Sequence, residues 1–197
     1  MSSTAIARPI EPDWVLPARG RVGMLCLIAA ESAIFTIFVV AYIFYIGKSI
    51  SGPMPKDVLE TPIFNTICLL SSSLTIHLSV RALRNARVAT FGLWWLLTMA
   101  LGTIFLVGTG REWHHLIFDK GLTINTNLFG TTYYSLVGLH AFHVTVGLLG
   151  LALGLIFTVA GKVKAEHAER FDVFSMYWHF VDAVWVVVFT VVYITGR

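Results

Sequence analysis

Five apolar runs, each about as long as a bilayer-crossing helix, decide what this 197-residue chain can fold into. They are Val22 to Gly47, Pro62 to Val80, Val88 to Gly110, Leu128 to Ala160 and Val173 to Thr195. A hydrocarbon core of roughly 30 Å takes about 20 such residues in a helix. None of the runs sustains the strict alternation that a barrel strand requires. Charged residues make up 13% of the chain, against about 25% in soluble domains, and the mean hydropathy is +0.77. So few polar groups cannot cover a water-facing surface, which excludes a soluble enzyme and a disordered linker. The expected fold is all-α: a polytopic five-helix membrane bundle over residues 22–197, preceded by a tail over residues 1–21.

The net charge of +3 says little about partners. No basic run with interleaved aromatics is present to follow phosphates, so nucleic acid is not an expected partner. Cys26 and Cys68 fall inside apolar runs, outside any metal or redox spacing, and read as small buried hydrophobes. The first twenty residues hold Pro9, Glu11, Pro12, Asp13 and Pro17 and no apolar core of a signal peptide, so the first run is expected to direct its own insertion. Lys and Arg counted by side set the orientation. Arg8, Arg19, Arg21, Arg81, Arg84, Arg87, Lys162, Lys164 and Arg170 share the side of the N-terminus, against Lys48, Lys56, Arg111, Lys120 and Arg197 on the other. The bias predicts a cytoplasmic N-terminus and an external C-terminus.

Polar residues inside the runs are the candidates for function. A charge at the bilayer centre costs at least ~2.5–3.5 kcal/mol on insertion scales, so one that persists has a partner or a role. Counted by helical rise, Glu31 lies about 14 Å into the first run. His140 and His143 in the fourth run, and His179 and Asp182 in the fifth, fall at a similar level. Each of these pairs is spaced i, i+3 and shares a helix face. Trp178, Asp182 and Trp185 follow i, i+4, i+7, which sets the aspartate between two indoles.

Two readings of these groups stand side by side. In one they hydrogen-bond across the bundle and fix its packing; in the other Glu31 exchanges protons or gates. Histidines on facing helices also suit haem, so a small di-haem cytochrome is a competing class, and a proton-coupled transporter is a third. A non-haem metal site would want more carboxylate or thiolate than these runs supply. Trp113, His114 and His115 follow Arg111 and Glu112 where the third run ends, and read as interfacial anchors. His77, near the end of the second run, reads as a capping or surface group.

The fourth and fifth runs carry two distinctive strings, GLHAFHVTVG from Gly138 to Gly147 and YWHFVDAVW from Tyr177 to Trp185. They resemble the signature segments of subunit III of haem–copper terminal oxidases. In matching order, RVGMLCLIAAESAIF resembles that family's helix with a single intramembrane acid, here Glu31. REWHHL at Arg111 to Leu116 resembles its aromatic and acidic helix exit, and FDVFSMYWHF carries Asp172 where many members have Glu. The resemblance covers residues 20–197, and five spans are similar to the short bacterial members.

The resemblance implies a non-catalytic chain with no redox centre of its own, in the bacterial cell membrane. Haem and copper would belong to subunit I, with a further copper site in subunit II of cytochrome c oxidases. Implied partners are subunit I by direct packing, subunit II, a small subunit IV and membrane lipid, with a structural phospholipid held between helix groups. Glu31 would match the family's carbodiimide-reactive acid, with His140, His143, His179 and Asp182 as its supporting polar interior. Trp113, His114, His115, Asp172, Trp178 and Trp185 would meet lipid or neighbouring subunits. The electron donor to the complex is cytochrome c or quinol. FTVVY at Phe189 to Tyr193 is similar to the quinol type, while Glu rather than Asp at position 31 is similar to the cytochrome c type, which is the expected one.

Overall fold

The structure, a computed structural model, describes residues 19–49 and 52–196. The expected tail up to residue 18, with Arg8, lies outside the described residues, as does Arg197. Among the described residues there is no strand, and five helices are long and apolar enough to cross a membrane. These are α1 (Arg19–Tyr45), α3 (Ile63–Arg84), α4 (Val88–Phe118), α5 (Leu128–Val159) and α6 (Ala168–Phe189), the last continued by a π-helical segment (Thr190–Thr195). A single turn, α2 (Pro55–Val58), lies between α1 and α3. Successive long helices run antiparallel, so the ends carrying Arg21, Arg84 and Asp172 meet.

Helix ends depart from the apolar runs where polar residues continue the helix beyond hydrocarbon. α4 runs on to Phe118, so Arg111 to His115 are helical and the connection to α5 shortens to residues 119–127. α3 extends past Val80 to Arg84, which puts Arg81 and Arg84 in its last turn, against the negative end of the helix dipole. Pro62 precedes α3 as its cap rather than lying within it, and α6 starts at Ala168 after a 3₁₀ turn (Ala165–His167) instead of at Val173. Asn127 caps α5 by accepting from the Gly130 N–H at 2.8 Å.

Apolar burial does not drive helices together inside lipid, so packing and polar contacts must hold the bundle. Trp178 of α6 fills a slot between Gly102 of α4 and Gly147 of α5; a Cβ at those positions would stand 2.8 and 2.6 Å from the indole. α3 supplies hydroxyls as interhelical ties. Ser72 Oγ accepts from Trp178 Nε1 at 2.8 Å and Thr66 Oγ1 from Trp185 Nε1 at 3.1 Å, joining α3 to α6. Thr75 pairs with Thr98 at 2.7 Å and Ser79 donates to the Phe91 carbonyl at 2.9 Å, joining α3 to α4. α1 is the least enclosed helix, with Phe35 and Tyr42 its buried residues. Its outer face explains why Cys26 is exposed, contrary to the expectation of burial, whereas Cys68 is buried.

Candidate functional site

Glu31 reaches from α1 to His143 on α5, where Oε2 lies 3.1 Å from Nε2. The other ring nitrogen, Nδ1, lies 2.8 Å from the Leu139 carbonyl one turn earlier. A carbonyl can accept and never donate, so Nδ1 carries a hydrogen. The Glu31–His143 contact then holds a single proton, either as imidazolium facing carboxylate or as carboxylic acid donating to neutral imidazole. Both arrangements are net neutral, which removes most of the cost of charge at this depth. The Glu31 side chain is 23% exposed and that of His143 is 8% exposed, so the pair opens outward through the carboxyl. Phe35, one turn beyond Glu31, rests its ring 4.9 Å from that of His143, and Tyr177 donates to the His143 carbonyl at 3.0 Å.

A second polar group joins α3 to α6. Ser73 Oγ lies 3.0 Å from His179 Nδ1 and makes a short hydrogen bond to Asp182 Oδ2. The i, i+3 spacing of His179 and Asp182 lets one hydroxyl serve both. His140 belongs to neither group. Fully buried, it stacks at 4.9 Å on Trp185, with the rings of Phe105 at 5.7 Å and Phe35 at 6.5 Å around it. The expected cluster at one depth therefore separates into two pairs and an aromatic-enclosed histidine. Rise along a helix fixes level, but rotation about the axis decides which neighbour a side chain meets.

A third group was not legible as a site from sequence. Glu112 Oε1 accepts from Tyr193 at 2.8 Å and from Tyr133 at 3.1 Å, tying α4 to α5 and to the π-helical segment. It borders a cleft of about 300 Å³ that also takes in Glu60, Asn65, Arg111 and His115. The usable signal is span counting: with successive helices antiparallel, Glu112 and Tyr193 near C-terminal ends and Tyr133 near an N-terminal end fall at the same end of the bundle.

The expected lipid and interface residues divide as well. Trp178 and Trp185 are 0% and 1% exposed and meet no lipid; their indoles are the core ties to Ser72 and Thr66. Trp113 is half-buried against Tyr134 at 5.4 Å, His114 is exposed beside Phe118, and His115 pairs with Asp119 at 2.7 Å. Asp172 binds Arg21 of α1 at 2.8 Å and Arg84 of α3 at 2.7 Å. His77 is exposed on α3 and shares a surface cleft with Arg81, Arg84 and Asp172. Among the described residues, no three His, Cys, Asp or Glu side chains converge as a metal site.

Comparison with known proteins bears on the same helices. The family model for cytochrome c oxidase subunit III matches residues 18–197. Cytochrome c oxidase subunit 3 of Alkalihalophilus pseudofirmus is 34% identical over 88% of this chain and 85% of its own length. Its counterpart in Synechocystis is 39% identical over 87% of this chain and 74% of its own, and that of Bacillus strain PS3 is 31% identical over 98% and 95%. The match spans every transmembrane helix, including the strings around Glu31, His143 and Asp182 that carried the resemblance. On both grounds, the chain belongs to the cytochrome c oxidase subunit III family.

Proposed function

We propose that this chain is the cofactor-free subunit III of a haem–copper oxidase supplied by cytochrome c, and that Glu31 and His143 form its proton-exchanging pair. The observation that carries the second part is the 3.1 Å contact between Glu31 Oε2 and His143 Nε2, with the carboxyl partly open at the bundle surface. The relatives' shared name favours cytochrome c over quinol as donor to the complex. Haem and copper reside in the partner subunits, I and II; subunit I packs directly against this chain, and a small subunit IV completes the assembly. The chain sits in the bacterial cell membrane with its N-terminus in the cytoplasm, consistent with the excess of Lys and Arg on that side.

Enclosure of His140 by three aromatic rings speaks against the di-haem reading, which needs an imidazole nitrogen open to a haem face. The deciding experiment is isolation of the tagged chain in mild detergent, with an optical spectrum and identification of the co-purifying chains. A larger haem- and copper-bearing subunit is expected, its Soret band staying with that subunit when the complex is split. A band that remains with this chain alone and disappears on His140→Ala would establish the di-haem class instead. Solute flux in vesicles that depends on Glu31 would establish a transporter.

A further inference from the structure

Polar residues mark the facing sides of α3 and α6. On α6, Asp172, Ser175, His179 and Asp182 follow i, i+3, i+7, i+10; on α3, Ser73, His77, Arg81 and Arg84 follow i, i+4, i+8, i+11. Each set therefore keeps to one face of its helix. At the bundle end that carries Arg84 and Asp172 the two faces part into a cleft of about 270 Å³, lined by His77, Arg81, Arg84, Asp172 and Ser175. Such a polar cleft takes several waters at ~30 Å³ each. One turn further in, Ser73 follows His77 along α3 and His179 follows Ser175 along α6. Asp182 ends the row, about 15 Å along α6 from Asp172.

The hydrogens available to the three inner groups fix the direction of their contacts. Ser73 has one hydroxyl hydrogen, and an ionised Asp182 can only accept, so that hydrogen points to Oδ2. His179 Nδ1, 3.0 Å from Ser73 Oγ, must then donate. A neutral imidazole has a single N–H, which leaves Nε2 as a bare acceptor. Nε2 has no hydrogen-bond partner among the described residues and is not one of the sealed polar atoms, so it opens at the half-buried surface of His179. Asp182 Oδ1 is sealed and unpartnered, so among the described residues Ser73 is the hydrogen-bonding link to this carboxyl.

Neighbouring helices offer these groups no other proton partner. Glu31 of α1 is engaged by His143 of α5, and His140 of α5 is enclosed by aromatic rings. Arg21 of α1 lies at the helix ends with Arg84 and Asp172, and α4 carries its charged residues and histidines at the opposite end of the bundle. His77 and Asp172 are the groups whose charge acts on His179, and both line the cleft.

We propose that His179, Ser73 and Asp182 form a second proton-loading site, with His179 Nε2 as the port, Ser73 as the carrier and Asp182 as the store. A proton from water in the cleft binds Nε2; Nδ1 releases its own to Ser73 Oγ, and Ser73 passes its hydroxyl proton to Asp182 Oδ2. The histidine ends neutral in the opposite tautomer, the serine is unchanged and the carboxylate has become the acid. Unloading runs back along the same three groups. Charge thus reaches Asp182 while water stays out of the α3–α6 seam. The relay depends on neither the oxidase role nor the Glu31–His143 pair.

The test is a rapid acid jump on the native complex containing this chain, followed by infrared difference spectroscopy of the carboxylic acid C=O stretch. A band present in wild type and missing in Asp182→Asn reads protonation of Asp182. Ser73→Ala and His179→Phe should each slow its appearance by about tenfold or more, and Ser73→Thr, which keeps the hydroxyl, should retain the wild-type rate. Glu31→Gln should keep the band. Nitrogen solid-state NMR of the histidine-labelled wild type should find hydrogen on His179 Nδ1 before the jump and on Nε2 after it. Absence of an Asp182-dependent band, its loss in Glu31→Gln, or a rate indifferent to Ser73→Ala and His179→Phe would overturn the relay. So would a tautomer that does not change, or a ring that holds both hydrogens after the jump. Should Ser73→Ala fail to assemble, the tautomer exchange in the wild-type complex decides. Haem content of the same sample reads the oxidase assignment separately, because its absence would sink that assignment and leave the relay standing.

Discussion

Glu31 Oε2 of α1 meets His143 Nε2 of α5 at 3.1 Å across the seam between the two helices. Few other contacts hold α1 as firmly, because Phe35 and Tyr42 are its buried residues and most of its length faces outward. The pair thus ties the rotation of a loosely held helix to an acid–imidazole contact between two apolar spans.

Loss of the carboxyl should affect endurance before rate. Glu31→Ala leaves His143 Nε2 without its partner, at a cost of about 1–3 kcal/mol for a largely buried group. No electron-transfer centre is disturbed on the proposed reading, so initial oxygen uptake by the complex should stay near wild type while its active lifetime falls several-fold. Glu31→Gln, which retains a hydrogen-bonding oxygen, should fall between the two. A prolonged oxygen-electrode trace under saturating donor measures both quantities, and an immediate collapse of turnover would refute the supporting role.

Two helix ends in this chain use the same closing motif with different residues. After α5, Gly161 sits at φ +68° while the N–H groups of Gly161 and Lys162 bond the carbonyls of Thr158 and Phe157, each at 3.0 Å. After α3, Ala86 adopts φ +57° and the N–H groups of Ala86 and Arg87 bond Leu83 and Ala82 in the same pattern. A Cβ in the left-handed region costs roughly 1–2 kcal/mol, and glycine returns part of that through a freer unfolded chain. Ala86→Gly should stabilise the chain by about 0.5–1 kcal/mol, read as a higher midpoint in a thermal unfolding series, with no change in activity.

The Trp178 slot makes the opposite demand on glycine. Gly147→Ala would set a methyl 2.6 Å from a ring that Ser72 anchors and Gly102 backs, so the indole cannot retreat. Overpacking of this kind costs typically about 1–3 kcal/mol. The variant should unfold at lower temperature, and Trp178→Phe in the same background should recover part of the loss because the smaller ring vacates the clash. Failure of that rescue would mean that the slot is not what fixes α5 against α6.

How much of this could be read from the chain follows from the solvent. Hydrocarbon demands length and apolarity of a span, so all five helices were legible. Lipid does not demand an apolar face turned inward, because the outer face is apolar too. The rotation of α5, which sends His143 to Glu31 and His140 among aromatic rings, left no periodic trace. Ser73 was invisible for another reason: a serine among serines in an apolar run gives no sign that its hydroxyl will serve both His179 and Asp182. Trp178 and Trp185 misled because indoles at membrane helices favour interfaces, and here three small or hydroxylic neighbours, Gly102, Ser72 and Thr66, admit them to the core instead.

Asp172 and Asp182 lie on one helix, and their surroundings predict contrasting responses to salt. Asp172 bridges Arg21 and Arg84, whose side chains are 45% and 54% exposed, so each pair is worth at most about 1 kcal/mol. Mobile ions reach that site, and screening at ~1 M salt shortens the range of its fields to about 3 Å. Asp182 is 2% exposed and bonded to Ser73, where ions do not penetrate. Asp172→Asn should therefore cost little, about 1 kcal/mol in low salt, and the difference from wild type should vanish in high salt. Asp182→Ala should cost about 1–3 kcal/mol at either salt concentration, because it strips the Ser73 hydroxyl, which also meets His179, of its acceptor. Thermal unfolding of the detergent-solubilised complex at the two ionic strengths compares them directly. If the Asp182→Ala deficit also faded with salt, that carboxyl would have to be reached by water, and its place in a dry α3–α6 seam would be wrong.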